Sequence, residues 1–158
     1  LAGWGSPRSG LMIVTDALTE ESLGEGTPGH GEAWELLLKI IRAIEIQPED
    51  TFITNAVKCH AGPSVKPGIN EIEACRPWLL SQVDLAAPRV IVALGTAAAQ
   101  ALLATDQAIS SLRGRFYYLD KLPVMPTFHP EYLLHNPRSK GEVWHDMKLV
   151  RDLLNKGR

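Results

Sequence analysis

The sequence predicts an α/β fold, a three-layer α/β/α sandwich around a mainly parallel central sheet. Two short apolar runs, Leu11–Thr15 and Val90–Leu94, have the length and continuity of strands that are buried on both faces. Residues 31–46, in contrast, carry apolar side chains at intervals of three and four, which indicates an amphipathic helix. Strands that alternate with helices in this way are typical of parallel sheets covered by helices on both faces.

The other elements continue this alternation. The sequence predicts strands over residues 11–15, 51–57, 90–94, 115–119 and 124–127. It predicts helices over residues 31–46, 70–85, 97–103 and 142–154. Asn70 and Thr96 are the expected amino-terminal caps of the second and third helices. Pro77 predicts a kink or a break in the second helix, and residues 120–123 are expected to form a turn.

Composition limits the classes of protein that remain. The chain has 158 residues with 45% hydrophobic content, and we expect a single domain over residues 1–158. No apolar run approaches the ~20 residues that a membrane span requires, and the first residues lack the pattern of a signal peptide. We therefore expect a cytoplasmic monomer with no membrane partner. The net charge of −2 means that any DNA-binding surface must be a local basic patch.

Polar residues follow the predicted strands, where ligands bind in parallel sheets. Asp16, Asn55, Gly95 and His129 all fall at such carboxyl ends and are expected to meet in one cleft. An amide can pair with the edge of a pyrimidine, and an imidazole can stabilise a developing negative charge. A carboxylate can orient an attacking water and balance a cationic sugar.

The segment from Thr127 to Pro137 adds further candidate functional residues. Pro130 fixes the backbone after His129, and leucines follow at the start of an expected helical turn, where they could act as an apolar wedge. This combination suits an enzyme that extrudes a base from DNA. Ordinary alternatives remain: Asn55 could satisfy backbone groups, His129 could cap a proline-containing turn, and Leu133 could be a core residue.

Several segments together carry a resemblance to a known family. They are Thr54–Cys59, Glu71–Leu79, Val90–Gly95, Leu112–Gly114 and Thr127–Pro137. In this order and spacing along the chain, the sequence resembles the uracil-DNA glycosylase superfamily, and most of all its thermostable iron–sulfur branch. The resemblance implies a uracil-DNA-glycosylase-like fold. It also implies hydrolysis of the N-glycosidic bond of uracil, or of another deaminated base, in DNA during base excision repair.

The resemblance also implies roles for individual residues. Asn55 would read the flipped uracil, His129 would donate a hydrogen bond toward uracil O2, and Asp16 would guide the water. Ala17 would line the base pocket. His30 could also line it or be catalytic itself, although a solvent-exposed loop histidine is the more ordinary interpretation.

The same resemblance places DNA contacts around the site. Leu133 corresponds to the side chain that the family inserts into DNA, and Pro130 lies beside it. Lys58, Arg138 and Lys140 could contact phosphates, although scattered surface cations are the ordinary explanation. The expected partner is DNA that contains uracil or a deaminated base.

Two motifs depart from the family pattern. Residues 15–19 read Thr-Asp-Ala-Leu-Thr where the family has Gly-Glu-Ala-Pro-Gly, so the carboxylate is one methylene shorter. Gly29 stands where the family has an aromatic ring that stacks on uracil, and His30 could replace that flat surface. These changes leave a second hypothesis open: a member that binds a base, a nucleotide or single-stranded DNA without turnover.

The cysteines are the third departure. Cys59 and Cys75 match two of the family's four cluster ligands, but an iron–sulfur cluster needs four thiolates. The other pair, a Cys-x-x-Cys before the first strand, is absent from this sequence. We therefore expect no required cofactor, and a [4Fe-4S] cluster only if an upstream cysteine pair exists outside this chain. A thiol or metal protein built on Cys59 and Cys75 is a third, weaker hypothesis.

Overall fold

The protein forms one mostly parallel sheet. A computed structural model describes residues 3–16, 31–56 and 69–156. The strands are β1 Leu11–Thr15, β2 Phe52–Asn55, β3 Val90–Leu94, β4 Tyr117–Leu119 and β5 Leu122–Thr127. Their order across the sheet is β2-β1-β3-β5-β4. Only β4, at one edge, runs antiparallel to its neighbour within this sheet.

Helices connect the strands. They are α1 Gly31–Ala43, α2 Ile69–Ala86, α3 Thr96–Leu103, α4 Ile109–Leu112, α5 Pro130–His135 and α6 Lys140–Lys156. Single 3₁₀ turns lie at Pro7–Ser9, Pro48–Asp50 and Pro137–Ser139.

The central strands β1 and β3 are buried on both faces, and each face of the sheet has its own core. Along β3, Val92 packs into the core beneath α1, α5 and α6, whereas Ile91 packs beneath α2, α3 and α4. Ile41 and Met147 fill the first core, and Leu79 belongs to the second. This alternation follows from the period of two along a strand. The predicted three-layer α/β/α sandwich is confirmed.

The register of the sheet aligns the carboxyl ends of its parallel strands. Thr15 pairs with Asn55, and Leu94 pairs with Thr127. The residues that follow β1, β3 and β5 therefore leave the sheet side by side at one edge. This alignment is what brings the predicted site residues together.

The second helix differs from its predicted form. It begins at Ile69, so Asn70 lies inside its first turn and is not its cap. It also continues through Pro77, so the predicted break is absent. Pro77 is exposed, as is Glu73 one turn earlier, so water can satisfy the carbonyl that the proline leaves without a helical donor. The Pro77 carbonyl itself accepts a hydrogen bond from Ser81 Oγ at 3.0 Å.

Two other boundaries were predicted wrongly. Gly95 is the amino-terminal cap of α3, while Thr96 is its first residue and accepts a hydrogen bond from the Ile109 N–H at 3.2 Å. The turn between β4 and β5 is shorter than predicted because Leu119 pairs with Leu122. The four-residue helix α4 was not predicted; it is too short to show a helical period.

No helix in the described ranges is both long and apolar enough to cross a bilayer.

Ala104 provides a test of the backbone geometry. This exposed residue ends α3 at φ 51° and ψ 46°, in the left-handed region that costs a residue with a Cβ about 1 kcal/mol. We expect Ala104→Gly to raise the free energy of unfolding by about 0.5–1 kcal/mol in urea denaturation. Ala101→Gly, inside the same helix, should lower it by about 1 kcal/mol or more. Equal losses in the two variants would contradict the left-handed cap.

Candidate active site

The Asp16 carboxylate is anchored at the amino end of α3. Its Oδ1 atom accepts a hydrogen bond from the Ala98 N–H at 3.0 Å. Gly95, the cap residue of α3, has no side chain that could do this, so Asp16 serves as a cap from the neighbouring strand. The backbone N–H group and the positive end of the helix both stabilise the negative charge.

Gly95 is required by this arrangement. Its φ of 96° lies in the region that favours glycine. A Cβ atom there would lie 2.7 Å from Asp16 Oδ2 and 2.9 Å from Oδ1, which is closer than such atoms approach. The Gly95 N–H also donates to the Thr127 carbonyl at 3.0 Å. One glycine therefore joins the end of β5 to the carboxylate that follows β1.

Asn55 is held through its amide nitrogen. Only 4% of the residue is exposed, and Nδ2 donates to Thr15 Oγ1 at 3.3 Å and to the Asp16 carbonyl at 3.1 Å. The Thr15 hydroxyl donates to the same carbonyl at 3.4 Å. No residue in the described ranges donates to Asn55 Oδ1. Asn55 thus donates to a backbone carbonyl, as the structural alternative in the sequence analysis predicted. Its side-chain oxygen remains as a hydrogen-bond acceptor.

His129 is held as a neutral ring that can donate. It caps α5, and its Nδ1 accepts a hydrogen bond from the Glu131 N–H at 3.0 Å. Since Nδ1 accepts, the proton of the neutral ring lies on Nε2. Burial lowers the pKa of His129 from its ordinary 6.5, while the charges of Asp16 and Glu131 oppose that shift. The Asp16 carboxylate is thus one of the two negative charges that favour the protonated form of this imidazole.

The structure thus places Asp16, Asn55 and His129 at neighbouring strand ends. Asn55 donates to the Asp16 carbonyl, and the Asp16 carboxylate lies against Gly95, whose N–H donates to Thr127 two residues before His129. Other predicted site residues, namely Ala17, His30, Lys58 and Cys59, lie outside the described residues and stay predictions.

Two predicted DNA contacts are buried instead. Pro130 is the first residue of α5 and is buried, and Leu133 is 1% exposed. Leu133 packs between α1 and α6, against Ile40 and Val143. A side chain in the core cannot insert into DNA while it stays there, so the structure assigns Leu133 its ordinary role. The adjacent Leu134 is 38% exposed.

The exposed side chains around α5 are suited to a nucleic-acid surface. Tyr132 is 43% exposed, and its ring stacks on Phe128 with centroids 4.5 Å apart. Arg138 and Lys140 follow α5, and both are exposed. They form a local pair of cations next to the helix that His129 caps.

The cysteines do not fit a four-thiolate cluster. The sequence contains two cysteines, and Cys75 is 6% exposed within the core beneath α2. Within the part of the chain that the structure describes, no group of three or more His, Cys, Asp or Glu side chains could hold a metal ion. The two cysteines of this sequence therefore supply only half of the thiolates that such a cluster needs.

Several residues that hold the site were not predicted from the sequence. Thr15 and Ala98 act through their hydroxyl and backbone groups, which have no sequence signature. Asp146, which is fully buried, and Arg113, which is partly exposed, form an ion pair next to Thr127. Asp146 did leave a signal, because it stands on the apolar face of α6 with Val143 and Val150, where a charge is unusual.

Comparison with known proteins identifies the family of the chain. The family model of the uracil DNA glycosylase superfamily matches residues 2–148. A type-4 uracil-DNA glycosylase of Thermotoga maritima is 36% identical, over 99% of this chain and 83% of its own length. That of Sulfurisphaera tokodaii is 34% identical, over 96% and 73%. That of Saccharolobus solfataricus is 33% identical, over 97% and 75%. The chain belongs to the uracil DNA glycosylase superfamily.

Proposed function

We propose that this protein is a DNA glycosylase that hydrolyses the N-glycosidic bond of uracil, or of another deaminated base, in DNA. The observation that carries the proposal is the placement of Asp16, Asn55 and His129 at neighbouring strand ends, with His129 Nδ1 accepting a hydrogen bond so that the proton of the neutral ring lies on Nε2. Relatives that match nearly the whole chain are named type-4 uracil-DNA glycosylases, which supports the same activity.

Asn55 would recognise the base through its oxygen. Its Nδ2 is held by the protein, so Oδ1 is the atom that can accept a hydrogen bond from the base. Uracil presents an N3–H donor, whereas cytosine presents an unprotonated N3 at the same place. Deamination of adenine likewise converts an unprotonated N1 into an N1–H donor. A buried acceptor therefore favours the deaminated form, because the parent base would leave Oδ1 without a donor.

His129 would stabilise the leaving base. As the glycosidic bond breaks, negative charge gathers on uracil, and the Nε2–H of the neutral ring can donate to O2. The ring is already fixed by its Nδ1 hydrogen bond, so it need not reorganise during the reaction. A preorganised donor of this kind is typically worth about 3–4 kcal/mol of transition-state stabilisation.

Asp16 would stabilise the sugar. Cleavage leaves positive charge on the deoxyribose, and an anchored carboxylate supplies a fixed negative charge near it. The same carboxylate can orient the water that attacks the sugar. These roles require no metal or organic cofactor. That the protein is a monomer with one domain also remains our proposal.

Leu134 and Tyr132 would contact the DNA in place of Leu133. Both are exposed on α5, and an apolar side chain beside the site can fill the gap that a flipped nucleotide leaves. Arg138 and Lys140, which follow α5, would contact backbone phosphates of the DNA next to this helix.

A second function follows from the anchoring of Asp16. A carboxylate that already accepts a backbone hydrogen bond has less capacity to take a proton from water. The protein could then bind a base, a nucleotide or single-stranded DNA without turnover. Incubation with a uracil-containing strand followed by alkali separates the two functions. Strand breaks at uracil favour the enzyme, and binding without breaks favours the binding protein.

Substitution of the site residues tests the enzyme. We expect His129→Ala and Asn55→Ala each to lower the rate of uracil release about 100- to 1,000-fold, since each removes one preorganised partner of the base. Gln100→Ala is the matched amide control, because Gln100 is on α3 and donates to Asp106 and Gln107 carbonyls away from the base. Equal rates in all four proteins would contradict the assigned roles.

The pKa of His129 sets the pH dependence. The neutral ring predominates above its pKa, which burial lowers below 6.5, so activity should fall only when pH drops through that lowered value. Glu131→Gln removes a charge that raises the pKa of His129, so the acid limb should move to still lower pH. Single-turnover rates across pH locate the acid limb of activity, and an NMR titration of the ring measures the pKa of His129. Movement of the limb to higher pH in Glu131→Gln would contradict this electrostatic account.

The two leucines of α5 should behave differently. Leu134→Ala should lower uracil release from double-stranded DNA about tenfold, or about 1.4 kcal/mol, with a smaller effect on single strands, and should leave stability unchanged. Leu133→Ala should lower the free energy of unfolding by about 2–5 kcal/mol. Rates on both DNA forms, together with urea denaturation, distinguish them. A loss of rate in Leu133→Ala, together with a loss of stability in Leu134→Ala, would instead assign the DNA-inserting role to Leu133.

A further inference from the structure

An ion pair between a fully buried carboxylate and a partly exposed arginine lies next to Thr127, two residues before His129. Asp146 in α6 is fully buried, and its Oδ1 accepts a hydrogen bond from Arg113 Nη2 at 2.6 Å. Its Oδ2 accepts from Arg113 Nε at 3.1 Å and from the Thr127 hydroxyl at 2.6 Å. This hydrogen bonding, more than the opposing effect of burial, raises the pKa of Arg113. His145 Nδ1 lies 3.2 Å from Asp146 Oδ1.

Such a pair is weak evidence for stability alone. A carboxylate that leaves water completely loses its hydration, and a well-packed apolar residue often stabilises a core as well. The partners of Asp146 instead define one particular geometry, because two Arg113 nitrogens and one hydroxyl fix both of its oxygens. This geometry therefore holds in place the groups that contact Asp146, namely Arg113 and Thr127.

Thr127 connects the pair to the site. Its side chain donates to Asp146, while its carbonyl accepts from the Gly95 N–H at 3.0 Å. Gly95 is in turn packed against the Asp16 carboxylate. Two residues after Thr127, the chain reaches His129. Thr127 is therefore fixed at once to α6 and to the turn that carries Asp16.

Phe128 is held by the same group. The Arg113 guanidinium lies 5.9 Å from the centre of its ring, and the Tyr132 ring stacks on it at an interplanar angle of 23°. The residue between Thr127 and His129 thus has little freedom to turn. Movement of the ion pair would move the backbone on which the imidazole stands.

We propose that Asp146, aligned by Arg113, is a positioning residue that acts through the Thr127 hydroxyl to set the place of His129 relative to Asp16. The proposal rests on the proposed function and deepens it. Asp146 touches neither the base nor the sugar. It acts on the rate because a donor displaced by about 1 Å can lose about 100-fold in rate.

Thr127→Val is the test, because valine keeps the shape and the strand preference of threonine and removes only the hydroxyl. Its single-turnover rate of uracil release should fall about 10- to 100-fold, with affinity for uracil-containing DNA within about threefold of the parent. Thr127→Ser, which keeps the hydroxyl, should recover most of the rate. Thr51→Val is the matched control: Thr51 is also fully buried, but its hydroxyl donates to the Gln47 carbonyl at 3.4 Å before β2 begins, opposite the site.

The ring of His129 provides a readout that does not depend on activity. Its nitrogen and proton NMR shifts should change in Thr127→Val and stay at the parent values in Thr51→Val. Thr127→Val should also lose more thermal stability, because its hydroxyl donates to a fully buried carboxylate at 2.6 Å whereas that of Thr51 donates to a carbonyl at 3.4 Å. Unchanged His129 shifts in Thr127→Val, or a rate loss no larger than that of Thr51→Val, would overturn the proposal. If Thr127→Val does not fold, Asp146→Asn replaces it, with a smaller expected rate loss of about three- to tenfold because Asn can still accept from Thr127.

These readouts separate the two proposals. A parent protein that releases no uracil would contradict the proposed function, yet the His129 shifts would still decide whether Thr127 positions the ring. A parent that is active, with a Thr127→Val variant equal to the Thr51→Val control, would contradict the positioning role alone.

Discussion

The contact between the Asp16 carboxylate and the turn at Gly95 is the constraint on which the rest of the site depends. Asp16 accepts from the Ala98 N–H, and the missing side chain of Gly95 leaves the space that the carboxylate occupies. The Gly95 N–H meanwhile holds the Thr127 carbonyl. Three strand ends are therefore joined at one residue. Since these contacts include backbone groups of the sheet edge, they hold Asp16, Gly95 and Thr127 in place relative to one another.

The joint also places a charged and a neutral group side by side. The amino end of α3 supports the negative charge of Asp16, whereas burial keeps His129 neutral and leaves its proton on Nε2. The two environments are set by different elements, α3 for the carboxylate and the Glu131 N–H of α5 for the imidazole. A reaction that generates positive charge on a sugar and negative charge on a base needs these two groups in these two states.

Much of this could be predicted from the sequence, and the failures have physical causes. The bounds of β1 and β3 were right because continuous apolar runs end there in polar residues or glycine. The cap at Thr96 was wrong because Asp16, distant in sequence, satisfies the helix end instead. Leu133 and Leu134 could not be told apart, because the phase of a six-residue helix is set by what it packs against. The links from Asp146 through Thr127 depend on tertiary contacts that no local pattern records.

The anchoring of Asp16 finally bears on how the bond would break. A carboxylate that serves as a helix cap is poorly suited to take a proton early in a reaction, but its charge stays in place. If the base leaves first, stabilised by His129, the cationic sugar that remains is reactive enough to be attacked by neutral water. Proton transfer can then follow the attack, and the carboxylate contributes through its charge. The geometry therefore favours a mechanism in which the glycosidic bond breaks before the water is activated. In such a mechanism, losing the hydrogen bond from the Ala98 N–H would matter more for where the charge of Asp16 lies than for how readily Asp16 takes a proton.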